Sequence, residues 1–380
     1  MMAAGTAHMR MREHSTVTRS DQAELRRDAR RTGPAVKSLR AFPTGRAPST
    51  SQDKYRTSAA VPVTISRRMR NWLLSDDADP SLRYRVLREL LDRPSDDPEV
   101  LAAQKQIGRE GWAAMILKLQ HPGGQWDTAG NSARELYRPK YVATNWRLLV
   151  LSDLGVRGTH PRIVKAVKLF LRRFGGPSGD LGGRKSEVCF TGNAVRMLTR
   201  FGYLDHPSVQ SSIDWLLRHQ KSDGGWHCFR SRTGTLDGWE ALAGFAAIPE
   251  AKRSAAMHRA IERGAEFYLE RGLLREGRTP YAPWMRLHYP VHYYYDLLVG
   301  VDVLTSLGYG DDPRMRLPLG RLAGKRNRDG TWNLDALHPD TEDPNYQIRG
   351  PFYPFGLEVP GRPSRWITAT ALIALQRAGR

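Results

Sequence analysis

Gln220-Lys221-Ser222-Asp223-Gly224-Gly225-Trp226 is read first because it comes back. One version precedes it, Gln120 through Gly123-Gly124-Gln125-Trp126, and another follows, Lys325 through Asp329-Gly330-Thr331-Trp332. The tryptophans stand 100 and 106 residues apart, which divides into units of about 50 residues. A second phrase recurs between them: Leu154-Gly155-Val156 with Pro161, Phe201-Gly202-Tyr203 with Pro207, and Leu307-Gly308-Tyr309 with Pro313. Each glycine follows an apolar run and each proline opens the next one, the stop and start chemistry of helices.

Between these marks two kinds of helix alternate. Tyr141–Leu154, Val188–Phe201, Leu236–Ile248, Val291–Leu307 and Arg365–Ala378 are apolar nearly all round, so they belong inside. Pro161–Phe174, Pro207–His219, Ser254–Glu270 and Pro313–Lys325 have one charged face and belong outside. Ser81–Leu91 and Val100–Leu119 also carry helical spacing, and the former offers a sixth inner helix. Strand signals are nearly absent. Two concentric layers with this repeat predict an all-α fold, an α/α toroid spanning residues 71–380.

Residues 1–70 are of another kind. They carry 15 Lys+Arg against 5 Asp+Glu, half of the chain's formal charge of +20, and no periodicity beyond a turn. This reads as a disordered basic tail. An overlong reading of the gene ahead of Met69, a dispensable tail and a tether to an acidic surface are the three readings it leaves open. It lacks the apolar core of a secretory signal, and Arg26-Arg27 and Arg30-Arg31 lack the apolar segment of a twin-arginine export signal. No apolar run approaches the ~18 residues that span a bilayer, so any membrane contact would be peripheral. The two cysteines exclude a disulfide scaffold and point to a reducing, cytoplasmic setting. Only Phe42 and Tyr55 interleave the basic residues of the tail, too few for base stacking, so no nucleic-acid partner is expected.

The Gln-x-x-Asp-Gly-x-Trp phrase at turns between outer and inner helices resembles the QW repeat of the squalene-hopene cyclase and protein prenyltransferase superfamily. The opening at 72–85, Asp223-Gly224-Gly225-Trp226-x-Cys228, Tyr295-Asp296 and Pro363-Ser364-Arg365-Trp366 resemble short bacterial squalene-cyclase-like or prenyltransferase-like proteins. The resemblance implies a terpenoid site: an isoprenoid or similarly apolar molecule held in a cavity among the inner helices. It does not carry the reaction across. The Asp-x-Asp-Asp acid is missing, and the nearest string, Asp340-Thr341-Glu342-Asp343, reads as loop charge. Asp76-Asp77, Asp96-Asp97 and Asp311-Asp312 all fail the Asp-Asp-x-x-Asp pattern. Where the prenyltransferases carry Asp-Gly-Cys, this chain has Asp237-Gly238-Trp239.

Candidate site residues follow from polar groups on apolar helices, where an ionised carboxylate needs a partner. Asp296 and Glu240 are candidate acid/base groups, with Asp237 and Tyr294 beside them. Trp146, Asn193, His288, Tyr293 and Trp366 would line the same end and touch substrate. Asn145, Thr191, Arg365 and Thr368 stand near inner-helix starts, where capping is the alternative. His292 and Asp296 share a helix face at a spacing of four, and Cys189, Cys228 and His292 would suit zinc. For the thiols the alternative is a buried structural role, and for His292 a core histidine. Two functions stay open: an enzyme acting on an isoprenoid, and a non-catalytic toroid that binds a lipid or a protein.

Overall fold

A computed structural model describes residues 65–126, 136–175, 187–228, 231–276, 279–338 and 351–379. The tail at 1–64 and the string Asp340 to Asp343 lie outside the described residues. The helices are α1 (Arg67–Leu73), α2 (Pro80–Arg85), α3 (Pro98–Gln106), α4 (Gly111–Lys118), α5 (Thr144–Asp153), α6 (Pro161–Phe174) and α7 (Val188–Arg200). They continue as α8 (Pro207–His219), α9 (Glu240–Ala247), α10 (Ala255–Glu270), α11 (Leu297–Ser306), α12 (Arg316–Gly324) and α13 (Arg365–Ala378). Four two-residue strands form two antiparallel pairs, β1 (Arg275–Glu276) with β2 (Thr279–Pro280) and β3 (Trp332–Asn333) with β4 (Pro363–Ser364). The fold is therefore helical, as the sequence predicts.

Two classes of helix separate by burial. In α5 every residue from Thr144 to Ser152 is buried, and α9, α11 and α13 are similarly enclosed. In α6, α8 and α10 only one face is buried, such as Ile163, Val167 and Phe170 on α6, and the opposite face is charged. Among the enclosed helices α5 packs on α7, α7 on α9, α9 on α11 and α11 on α13. Helix α13 then meets α2 and the π-helical turn Val86–Leu90 that continues it, α2 meets α4, and α4 meets α5.

The three tryptophan turns are the same piece of chemistry. Trp126, Trp226 and Trp332 are fully buried, and each indole N–H donates to the carbonyl ten residues earlier: Ile116 at 2.7 Å, Leu216 at 2.9 Å and Leu322 at 2.7 Å. Burying an indole of about 150–250 Å² is worth roughly 4–6 kcal/mol gross, and the bond leaves no orphaned donor in the core. Gln120 and Gln220 donate to the glycine carbonyls of Gly124 and Gly224 at 3.0 and 2.8 Å, and onward to the next outer helix at Arg162 and Ala260. In the third turn Arg326 takes the glutamine's place, its Nε donating to the Gly330 carbonyl at 3.1 Å.

The structure moves several boundaries. Order begins before residue 71: α1 starts at Arg67, capped by the Ser66 hydroxyl, because Met69 and Leu73 bury together. Val100–Leu119 is two helices, broken at Ile107 to Glu110 where Gly108 takes φ +86°. Helix α5 begins at Thr144, since Tyr141 has φ +69°. Val291 to Asp296 is not helical, so Tyr293–Tyr295 do not form a first turn and His292 and Asp296 do not share a helix face. The cause is local: His292 sits at φ +48°, and Asp296 is extended and caps α11, accepting from the Val299 amide at 2.9 Å.

The glycine of each tryptophan turn makes a sharp expectation. Gly224 has φ +90°, and a Cβ there would lie 2.2 Å from the Arg263 carbonyl oxygen. Gly202 has φ +84° with nothing within 4 Å. Gly202→Ala should cost only the left-handed penalty of about 1–2 kcal/mol. Gly224→Ala should cost clearly more, measured as the difference in urea midpoint at constant slope.

Candidate functional site

Residues of α2, α3, α5, α7, α9, α11 and α13 line a cavity of about 710 Å³. Its wall is apolar where Trp239, Ala243, Leu298, Val299, Val303 and Ile367 face in. One polar pair is built into that wall. His288 and Asp296 both line the cavity and are almost completely buried, 2% and 0% exposed. Asp296 Oδ2 lies 2.6 Å from His288 Nδ1 and also accepts from the His288 amide at 2.9 Å, while Oδ1 caps α11. The carboxyl thus accepts from two backbone N–H groups and meets the imidazole at Nδ1, contacts that fix the ring's orientation. Tyr294 stands edge-on to His288 with ring centres 5.0 Å apart, its phenol pushed up to about 12 by burial.

The cavity's other border is charged. Arg85, Arg157, Arg196, Arg200 and Arg377 line it with Glu89, Asp153 and Asp302. Asp153, Arg200 and Arg377 stand at or near the C-terminal ends of α5, α7 and α13, where cations are favoured by the helix dipole. The groups interlock: Arg377 meets Glu89 at 2.9 Å and Asp302 at 3.0 Å, Arg85 meets Glu89 at 3.5 Å, and Arg200 and Arg196 share Asp153. The Arg196 guanidinium also lies 5.3 Å from the Trp239 ring. None of these arginines stood out in the sequence: Arg85, Arg196, Arg200 and Arg377 sit among ordinary helix residues, Arg157 lies in the loop after α5, and most of the acids they meet come from other elements.

At the opposite, N-terminal ends of the enclosed helices an aromatic cluster forms. Tyr141, fully buried, places its hydroxyl 3.1 Å from His338 Nδ1 and 3.2 Å from the Tyr293 hydroxyl, which Lys140 also reaches at 3.0 Å. Trp146 packs on Tyr141 at 5.3 Å and donates its indole N–H to the Tyr137 carbonyl. His292 Nε2 is 2.6 Å from the Tyr353 hydroxyl, and burial holds the His292 imidazole well below its usual range, so it is neutral at pH 7. Asn193 Nδ2 donates to the His292 carbonyl at 3.3 Å. Trp366 belongs to a separate stack, 4.7 Å from Tyr289 and 5.5 Å from Trp112. Tyr141, His338, Tyr353 and Trp112 were missed in the sequence because three of them come from irregular loops with no period to mark them.

Asp237 is exposed in the 3₁₀ turn Leu236–Gly238, outside the cavity lining but within electrostatic reach of Glu240 and Tyr294. One predicted grouping does not form. The zinc set is not assembled: among the described residues no three His, Cys, Asp and Glu side chains gather as metal ligands. The reason is geometric. Cys189 and Cys228 meet each other, the Cys189 amide 3.3 Å from the Cys228 sulfur, while the His292 ring turns to Tyr353. The hydrogen bond from Cys189 pulls the Cys228 thiol below its usual range, and the same bond with burial pushes Cys189 up.

Glu240 opens α9 with no exposure at all, and neither carboxyl oxygen has a hydrogen-bond partner among the described residues. Burial pushes it well above the usual carboxylate range, the nearby Cys228 adding to the effect, so it is held as the neutral acid.

No family model matches the chain, and no curated protein matches it. Among solved structures it is similar to the type II terpene cyclase MstE from Scytonema. The apo enzyme is 16% identical with a TM-score of 0.41, over 79% of this chain and 88% of that one. A variant bound to geranylgeranyl dihydroxybenzoate, its substrate, gives 16%, 0.41, 79% and 87%. A variant bound to merosterolic acid A, its product, gives 15%, 0.41, 79% and 86%. At that level of likeness the chemistry of this chain has to be read from its own side chains.

Glu240 and Asp296 are separable by experiment. In the unfolded chain Glu240 ionises near 4.5; in the native state it keeps its proton to higher pH. Over that window the native state binds the extra proton, so the Glu240 contribution to stability falls as pH rises. Glu240→Gln, which cannot ionise, should leave Tm unchanged near pH 4 and raise it by several degrees at pH 8, where each kcal/mol moves Tm by roughly 2–4 °C. Asp296→Asn instead turns an N–H toward the His288 donors and should cost about 2–4 kcal/mol, read in urea unfolding at pH 7.

Proposed function

We propose that the enclosed helices close into an α/α toroid of about 50-residue units, and that its cavity binds an isoprenoid-like molecule with an apolar body and an anionic head. The closed path of helix contacts, α5 to α13 and back through α2 and α4, supports the ring. The observation that carries the function is the cavity of about 710 Å³, apolar along one wall and lined by five arginines against four acids, Glu89, Asp153, Asp302 and the Asp296 paired with His288. That volume falls within the ~300–1,000 Å³ of small-molecule sites. The apolar wall takes the chain of the ligand, and the excess of positive charge favours a phosphate or carboxylate at the border.

The ligand is processed by proton transfer at the His288–Asp296 pair. Asp296 fixes the orientation of the imidazole at Nδ1, and Nε2, 3.4 Å from the Val291 carbonyl, exchanges the proton with the ligand, as a general base or acid does when a carboxylate orients it. This differs from an acid-driven cyclase, which needs a carboxylic acid as donor. A second reading, a toroid that binds without turnover, is favoured by the two backbone N–H groups and the imidazole that satisfy Asp296.

Farnesyl diphosphate and geranylgeranyl diphosphate are the first probes, with farnesol as the uncharged control, titrated calorimetrically into the full chain. Micromolar binding of a diphosphate, weaker binding of farnesol, and at least about tenfold loss in the cavity-filling variant Ala243→Trp are expected. No binding of any of the three, or binding untouched by Ala243→Trp, would overturn the assignment. Product analysis by mass spectrometry with the parent and His288→Gln separates the two readings: turnover lost with binding kept marks the enzyme, and intact ligand throughout marks the binding toroid.

A further inference from the structure

We propose that Cys228 and Cys189 are a peroxide-oxidised dithiol, Cys228 attacking and Cys189 resolving, which closes into an intramolecular disulfide. They are the only cysteines of the chain. Thirty-nine positions separate them in sequence, yet the fold seats one at the start of α7 and the other just after the Trp226 turn, in contact. Both are free and half-buried, so a small oxidant can reach them.

The contact is asymmetric, which assigns the roles. The Cys228 sulfur receives the Cys189 backbone N–H at 3.3 Å. It also sits at the N-terminal end of the 13-residue helix α7, where N–H groups lack partners of their own and favour a thiolate. Cys189 instead directs its S–H at the Glu187 carboxylate, 3.7 Å from its sulfur, and burial adds to this in keeping it protonated. A thiolate beside a protonated thiol is the arrangement that disulfide formation needs.

The steps balance with hydrogen peroxide as oxidant. The Cys228 thiolate attacks one peroxide oxygen; the S–O bond forms, the O–O bond breaks, and hydroxide leaves and takes a proton from solvent. The Cys189 sulfur then attacks the sulfenic sulfur; the S–S bond forms, the S–O bond breaks, and the departing hydroxyl leaves as water with the Cys189 proton. Two thiols lose two electrons and peroxide becomes two waters. The product staples the start of an enclosed helix to the turn that carries Trp226, independently of whatever occupies the cavity.

The test is intact-mass spectrometry of the full chain exposed to dilute hydrogen peroxide, with thiols counted by alkylation. A loss of 2 Da and of both free thiols, reversed by dithiothreitol, is expected, with a rise in Tm of several degrees. Cys189→Ser should stop at a dimedone-reactive sulfenic acid on Cys228, and Cys228→Ser should oxidise at least about tenfold more slowly. If Cys228→Ser fails to fold, brief iodoacetamide labelling of the parent serves instead, and Cys228 should be modified several-fold faster than Cys189. Equal labelling, faster labelling of Cys189, disulfides only between chains, or oxidation no faster than free cysteine would each overturn the proposal.

Discussion

Helices with no solvent face set the terms for everything else in this protein. Along α5, α9, α11 and α13 every polar side chain has to be answered by another residue or by a cavity, because water is not there to do it. Asp296 is answered completely, by the amide and imidazole of His288 and the first turn of α11. Glu240 is answered by nothing described and so keeps its proton. Two carboxyls that look alike in sequence thus differ in what answers them.

The same constraint divides the interior into two ends. At the N-terminal ends of the enclosed helices, Tyr141 meets Tyr293 and His338, and His292 Nε2 meets Tyr353, while His292 Nδ1 has no partner among the described residues. At the C-terminal ends, carbonyls point outward and arginines gather with their acids around the cavity border. The apolar wall between them is supplied by small and branched residues such as Ala243, Val299 and Val303. The polarity along the cavity follows from helix direction.

The tryptophan turns hold the two layers in register. Each buries an indole and bonds it to the end of the helix that precedes it; the Trp332 turn adds the β3–β4 pairing with the start of α13. The Gln120 and Gln220 amides reach the next outer helix, so one turn positions three elements. Arg326 shows that the role is a donor at the right length, not glutamine as such.

Sequence alone determined the helices and their two classes, because hydrophobic period, proline starts and glycine stops are local signals; Pro161–Phe174 and Pro207–His219 are found where periodicity put them. It also determined that Asp296, Glu240 and His288 were groups to explain, since charge on an apolar run is visible without coordinates. It did not determine their states or company. That Asp296 is a cap rather than a helix-face acid, that His292 turns to Tyr353 instead of to the thiols, and that Cys189 meets Cys228 across 39 positions depend on loops with no period and on contacts between elements far apart in the chain. The arginine border is the extreme case. Its members are unremarkable one by one, and only the packing of α5, α7 and α13 around a common space makes them a site.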